Sequence, residues 1–595
     1  MARRDRSLLA HHAVQPDAVT RPRQLLYGGS VLVLAVLASG LGVRNGFTYD
    51  DRFVIEGNTA LHLLRANWWR FFGSSYWPPS MGGDGYRPIA LLLYSIQWVV
   101  GGGSAWVFHT VNIAVYGAVC LSVFWLGLQL LPERLAWLAA ALFAVHPLHV
   151  EAVANIVGQA ELWVALATVC AVRLYVARRA AARFSARDIL VIAALYAFAC
   201  GVKENGFVLP VLLAASELIL VRDPRPLWSR FIELRPFALT LGLIAVGYLW
   251  ARNVVLGRMG GFELYVPFDA LHTTGVQRIV TMVGLVPQWV RLFLWPAHLS
   301  AEYGPPQYPI ASGPEIGQVP GLILMVGILS LGAALRRRSP VACFGIAWMT
   351  LTLLPVSNLL VPTGVLIAER TLFLPSIGVV LALATAVPYL ESKLTTPVIR
   401  VAALVAVQCL VLAGAVRSAA RTTVWRDNDT LFAREVVDAP LVYRTHYMLG
   451  GWEFTKDQLR AGESEFLIAM KLFPADPFIP YNLAYEYKKR GLFAPAVVMY
   501  QRALDIAPDF RDATAGVAVC LASQGKFADA RSPALRALGQ GAGDAKVMRT
   551  IIEIAAAQRR AASAEAALDR QKGSPASGKV PGLVQKTAQR QVRRT

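Results

Sequence analysis

Residues 27–43 read YGGSVLVLAVLASGLGV, and residues 47–58 read FTYDDRFVIEGN. The first stretch carries no charge and is long enough for a helix to cross a bilayer. The second places two adjacent carboxylates, Asp50 and Asp51, directly after it in an aromatic setting. Together they predict a membrane helix that delivers an acidic loop to one face. Phe47–Asn58 is either a solvated loop start, with Asp50 capping a short helix, or the head of a catalytic loop.

The composition of the 595 residues agrees with a membrane chain: 55% are hydrophobic and the mean hydropathy is +0.46, which excludes an ordinary soluble protein. Apolar runs of about 17–22 residues recur, the length expected of bilayer-spanning helices. The net charge of +20 does not point to nucleic acid. The cations sit in clusters between apolar runs and in the C-terminal tail, as membrane topology requires. Cys120, Cys170, Cys200, Cys343 and Cys409 lie inside apolar runs, and no spacing among the six cysteines suggests disulfides or zinc. The basic N-terminus, residues 1–26, is not followed by a cleavage site, so 27–43 reads as a retained helix with that terminus cytoplasmic.

Counting cations at each break gives the expected order. Residues 44–85 form an outer loop rich in Trp and Tyr, with 60–72 an amphipathic helix lying on the surface. Segments 88–100 and 276–297 stay at the outer face. Crossings are expected at 27–43, 106–131, 135–147, 160–177, 188–202, 206–221, 236–252, 318–335, 340–359, 371–389 and 398–416, about eleven in all. The fold class is therefore all-α, a polytopic helical bundle over 27–420. A connecting helix at 421–442 follows. At 443–570 positions recur every 34 residues: Leu449, Leu483 and Val517; Phe466, Tyr500 and Ala534; Ala469, Ala503 and Ala537. That is the tetratricopeptide period, which predicts a C-terminal α-solenoid of stacked helix pairs. The tail, 571–595, is expected to be basic and disordered.

Charges near membrane depth are expensive, so those on the outer face are functional candidates. They are Asp50, Asp51, Arg87, His146, His149, Glu151, Glu161, Lys203, Glu204, Arg252, Glu369 and Arg370. Of two adjacent carboxylates, one can act as general base and the other as its orienting partner. Which takes the proton stays open, with a lean to Asp51. His146 and His149 stand three apart and, if helical, would suit a metal pair. Pro147 between them instead marks a helix start, with the histidines hydrogen-bonding to the outer loop and Glu151 in the active-site wall. Lys203 and Arg370 suit an anion, a phosphate above all; the competing reading pairs Arg370 with the adjacent Glu369. No metal site is expected, because the aspartates lack acidic partners nearby in sequence and a divalent ion would need a glutamate from another loop.

With those residues in place, the chain resembles the transmembrane and tetratricopeptide-repeat family of protein O-mannosyltransferases, within the GT-C class. The matching stretches are Tyr49-Asp50-Asp51 with Ile55 and Asn58, Tyr86-Arg87-Pro88, Phe108–Asn112, Phe143–Val153, Gly158–Glu161 and Lys203-Glu204. Ser357-Asn358-Leu359, Ala368–Gly378 and the junction Trp425–Phe432 complete them. Gln159 stands where the family usually has Arg, and the repeat array is short. The resemblance implies a sugar, mannose above all, carried on a polyprenyl phosphate in the membrane and moved to Ser or Thr hydroxyls of exported proteins. The configuration would invert, with Asp50 or Asp51 as base and Glu151 beside them. Arg87, His149, Lys203, Glu204 and Arg370 would bind the donor phosphate or sugar. The repeats would engage the acceptor protein. No cofactor is implied besides the lipid-linked donor. The Ala- and Arg-rich composition points to a bacterial relative, with the chain in the inner membrane and the active site and repeats periplasmic. The alternatives are a GT-C transferase acting on a lipid or cell-surface glycan, and a non-enzymatic tetratricopeptide scaffold for secretion or assembly.

Overall fold

The computed structural model describes residues 20–79, 83–181, 184–257, 268, 271–540 and 545–572. Residues 1–19 of the basic N-terminus and 573–595 of the tail lie outside the described residues. Among the described residues there is no strand, only an isolated bridge between Tyr303 and Ile367. This is an all-α membrane protein in two compact units divided between Pro440 and Leu441.

Among the described residues, seven helices of the first unit are long and apolar enough to cross a membrane: Arg21–Arg44, Ala105–Leu130, Ile156–Ala180, Leu227–Leu256, Ile316–Leu335, Glu369–Lys393 and Pro397–Trp425. An eighth span results if Glu133–Ala144 and Pro147–Ala154, bent by 50° at the intervening break, are taken as one. The other segments counted as crossings are helical but short: Ala186–Val202, Leu209–Ile219 and Pro340–Val356. The expected count of about eleven therefore includes three helices below full spanning length. The first helix is already formed at Thr20, the first described residue, ahead of the expected start at 27.

Two breaks read as lying on one side meet there. Arg179 and Arg230 both pair with Glu217, at 2.7 and 2.6 Å, and the Tyr175 hydroxyl donates to the same carboxylate. At the other end, helix Pro88–Gly101 packs into the outer loop: Ser95 donates to the Leu61 carbonyl and Tyr94 to that of Val157. The expected amphipathic helix over 60–72 is instead two short pieces, Leu64–Asn67 and a 3-10 turn at Arg70–Gly73. The Asn67 side chain donates back to the Ala60 carbonyl, the local competition that shortens helices. The segment expected as one connecting helix is also broken. Helix Pro397–Thr422 ends in a 3-10 turn, and helix Asn428–Asp438 starts afresh under the Asp427 cap, which accepts from Thr430 N–H at 2.8 Å.

Small residues let the helices near the site approach closely. Gly345 and Gly378 face each other so tightly that a Cβ on Gly378 would lie 2.2 Å from the Gly345 carbonyl oxygen. In a bilayer, where helices associate by packing more than by water exclusion, such backbone contact is a main source of adhesion.

The second unit contains three helix pairs: Tyr443–Thr455 with Leu459–Leu472, Phe478–Lys489 with Phe493–Ile506, and Arg511–Ser523 with Phe527–Gly539. Most of the recurring positions lie in the core: Ala469, Ala503, Ala537 and Tyr500 are fully buried and Phe466, Ala534 and Leu483 nearly so, while Leu449 is half-buried. Ile554 of the last helix, Ala545–Lys572, packs on Ala518, Ala522, Ala530 and Ala534 of the third pair.

Gly378→Leu is expected to destabilise the first unit by about 2–4 kcal/mol, since overpacking against backbone leaves no flexible neighbour to yield. Detergent-denaturation midpoints of wild type and variant measure this; an unchanged midpoint contradicts the contact.

Candidate active site

The charged residues of the outer-face set come from segments far apart in sequence, and many of them meet. Their positions depend on three turns. Gly158 closes the turn after helix Val150–Ala154 so tightly that a Cβ would stand 2.5 Å from the Ala152 carbonyl oxygen. That turn points the N–H groups of Ile156 and Val157 at the Asp51 carboxylate, at 3.2 and 2.8 Å, and Thr48 N–H adds a third at 3.3 Å. Asn358, at φ +57°, organises the second turn: its amide donates to the carbonyls of Val365 and Leu366 while its oxygen accepts from Thr363. Asn tolerates this left-handed backbone better than most residues, and the loop leads into Ala368-Glu369-Arg370. The third turn is Tyr49 itself, also left-handed at φ +53°.

The two aspartates separate clearly. Asp51 is completely buried and fully occupied by backbone donors. Burial pushes its pKa up to about 8, against the pull of the three N–H groups, with the neighbouring Asp50 charge adding to the rise. It anchors the loop. Asp50 is 19% exposed, and its Oδ2 lies 3.7 Å from Arg370 Nη2. Of the two, Asp50 is the one with solvent access, whereas Asp51 is spent on the loop backbone.

Arg370 joins the site together. Its Nη1 pairs with Glu151 Oε1 at 2.5 Å, and its backbone N–H donates to Glu151 Oε2 at 2.8 Å. Glu151 is 1% exposed, so its charge is answered from one residue by both backbone and side chain. The competing pairing with Glu369 does not form: Glu369 faces away, accepting from Ser300 N–H at 2.7 Å and the Tyr303 hydroxyl at 2.6 Å.

A second cluster adjoins the first. Lys203 Nζ meets Glu161 Oε1 at 2.5 Å, and Asn205 donates to the other oxygen. Burial lowers the Lys203 pKa, and both Arg87 and Arg370 oppose its charge, which puts it within electrostatic reach of the two clusters. Glu204 is shared between two guanidiniums, Arg87 Nε at 2.9 Å and Arg252 Nη1 at 3.2 Å. Burial alone would raise the Glu204 pKa, but Arg87, its own backbone bonding, Arg252 and Lys203 bring it below the usual range, so it stays charged. Arg87 also lies over the Tyr76 ring at 4.5 Å. Arg252 is 7% exposed, and its Nε is buried with no hydrogen-bond partner among the described residues. The sequence placed Arg252 on the outer face but gave it no role.

His149 does not join them. Its ring is buried in the core, with Nδ1 3.1 Å from the Tyr116 hydroxyl and Nε2 2.9 Å from Ser376 Oγ. His146 is bound to the Phe293 carbonyl and to Leu148 N–H. These partners all lie outside the 44–85 loop to which the two histidines were expected to bond. Among the described residues no three His, Cys, Asp or Glu side chains converge to hold a metal. Gln159 sits in a buried amide network with Gln97 and Asn112.

No protein-family model matches the chain. It is 26% identical to the human protein O-mannosyl-transferase TMTC4 over 471 residues, 71% of this chain and 62% of that protein. It is 24% identical to the mouse protein O-mannosyl-transferase TMTC3 over 503 residues, 78% and 53% of the two chains. A shorter stretch of 123 residues is 38% identical to the Drosophila protein O-mannosyl-transferase Tmtc2, covering 20% of this chain and 13% of that one. Over most of its length the chain is thus similar to proteins named TMTC protein O-mannosyl-transferases. It spans little more than half the length of the longer TMTC relatives, 53% in the mouse TMTC3 match.

Asp51 predicts a specific pH effect. Its folded pKa is raised above the ordinary 3.8, so its contribution to stability is full below that value and lost as pH rises through about 8. Asp51→Asn removes the term. The wild-type minus variant difference in unfolding free energy should therefore decline steadily from about pH 4 to about pH 8; a flat difference contradicts an ionisable, buried Asp51.

Proposed function

We propose that the chain is a membrane glycosyltransferase moving a sugar from a polyprenyl-phosphate donor to Ser or Thr hydroxyls of proteins. The observation that carries this reading is the contact of Asp50 with an Arg370 already compensated by buried Glu151. Such a carboxylate, 19% exposed and facing a guanidinium, suits a general base. The relatives' names supply the reaction class.

In this mechanism Asp50 takes the proton of the acceptor hydroxyl. The freed oxygen attacks the anomeric carbon, the bond from that carbon to the phosphate oxygen breaks, and polyprenyl phosphate leaves as an anion with inversion at the sugar. The leaving group needs cations more than a general acid. The sequence assigned that task to Lys203 and Arg370 among others, but both have carboxylate partners of their own. The surplus of positive charge lies where Arg87 and Arg252 share Glu204, so these two guanidiniums hold the phosphate, with Lys203 beside them and Glu204 orienting both. Asp51 fixes the loop and Glu151 fixes Arg370. His149 has no part in donor binding in this scheme. The sugar is mannose, as in the relatives' names; the repeats present the acceptor protein; the outer face is periplasmic, with the chain in the inner membrane of a bacterium.

The test uses the full chain in lipid vesicles with labelled polyprenyl-phosphate mannose and a membrane extract. Asp50→Asn should lower transfer to protein by about 10²–10⁴-fold, the usual contribution of a general base. Arg252→Gln should raise the donor KM about tenfold or more with a smaller change in kcat, as loss of a charge-assisted contact made in both ground and transition states does. Label in lipid or glycan instead of protein transfers the reading to the related GT-C activity. Full transfer by Asp50→Asn, or none by wild type, contradicts the proposal.

A further inference from the structure

The acidic loop is strapped to the segment that follows the last membrane helix. Asn45 Nδ2 donates to the Thr422 carbonyl at 3.0 Å, and Gly46 N–H donates to the Arg426 carbonyl at 2.8 Å. Tyr49 N–H donates to the side-chain oxygen of Asn428 at 2.8 Å. The Tyr49 ring lies against Trp425 and Phe432, and its hydroxyl donates to Glu302. Some 380 residues of sequence separate the loop from the 422–432 segment, and 253 separate Tyr49 from Glu302, so these contacts are made by the fold and not by local propensity.

Tyr49 needs such support. At φ +53° it occupies a region that residues with a side chain rarely enter. Asn428 is 6% exposed and opens helix Asn428–Asp438 as its first residue. Its oxygen is the acceptor that holds the Tyr49 peptide in that orientation. Directly after Tyr49 comes Asp50, whose own carbonyl is fixed from the other side by the N–H groups of Phe53 and Val54. The base is thus bracketed, by Asn428 through Tyr49 on one side and by the 52–56 turn on the other.

We infer that Asn428 is a positioning residue for Asp50: by accepting from Tyr49 N–H it maintains the left-handed turn that aims the Asp50 carboxylate at the reacting hydroxyl. The inference rests on Asp50 being the base. Asn428 touches no substrate and acts only through the loop.

The full-length chain tests it with Asn428→Ala, which removes the acceptor, and Asn428→Asp, which keeps an oxygen in its place. Two readouts are needed: kcat and donor KM with polyprenyl-phosphate mannose, and hydrogen exchange of the Tyr49 amide. Asn428→Ala should lower kcat about tenfold at unchanged KM and speed Tyr49 exchange by a similar factor, the effect of one lost buried hydrogen bond. Asn428→Asp should stay within about threefold of wild type in both, since the acceptor is retained. Wild-type kcat in Asn428→Ala overturns the inference. So does an Asn428→Asp variant as impaired as the alanine one, or faster exchange spread through the whole first unit, which would mean a general folding role. If the wild type transfers no sugar, the proposed function fails and the exchange arm alone decides: faster exchange at Tyr49 in Asn428→Ala but not in Asn428→Asp supports the strap, and equal exchange refutes it.

Discussion

A guanidinium at the edge of a membrane bundle must be compensated, and the way Arg370 is compensated sets the rest of the site. Glu151 meets it twice, through Nη1 and through the backbone N–H. That contact ties the loop entering helix Glu369–Lys393 to the short helix Val150–Ala154. Because Glu151 is almost wholly buried, neither partner can be removed without leaving a charge unanswered, which costs several kcal/mol in a low-dielectric setting. Asp50 then sees a cation whose charge is already largely balanced. The carboxylate faces that cation at 3.7 Å while keeping 19% of its side chain exposed, the placement a base near the membrane surface requires.

Adjacent residues do opposite work here. Asp51 is turned inward and collects three backbone donors; Asp50 is turned toward Arg370. The alternation follows from the turn, since the 48–56 segment reverses direction over Asp50 and Asp51 and puts consecutive side chains on different sides. Gly158 is as much a part of this arrangement as either aspartate, because only a residue without Cβ lets the 152–158 turn close and aim its N–H groups.

Much of this was legible in the sequence, for identifiable reasons. Apolar length and cation placement are local signals, and every segment read as apolar is helical. The 34-residue recurrence marked positions that are in fact the buried core of the helix pairs, Ala469, Ala503 and Ala537 among them. The motif stretches brought Asp50, Glu151 and Arg370 forward as a set. What escaped was tertiary. Which aspartate is buried depends on amides of residues 156 and 157, about a hundred positions away. His149 looked like an outer-face group because its spacing from His146 is visible and its partners Tyr116 and Ser376 are not. Arg252 was visible only as a cation near a helix end, and its sharing of Glu204 with Arg87 needed the fold. Asn428 carries no charge at all, so no signal of charge or hydropathy could single it out from the junction around it.

The central claim is that one outer-face site combines a carboxylate facing Arg370 with a pair of guanidiniums for a lipid-linked phosphate. A structure of the full chain in lipid with a non-transferable polyprenyl-phosphate sugar bound tests it most directly. Phosphate density is expected within hydrogen-bond reach of Arg87 and Arg252, roughly 2.7–3.2 Å, with the sugar between that phosphate and Asp50. Density for the phosphate elsewhere in the bundle, or a sugar that cannot face Asp50, would contradict it.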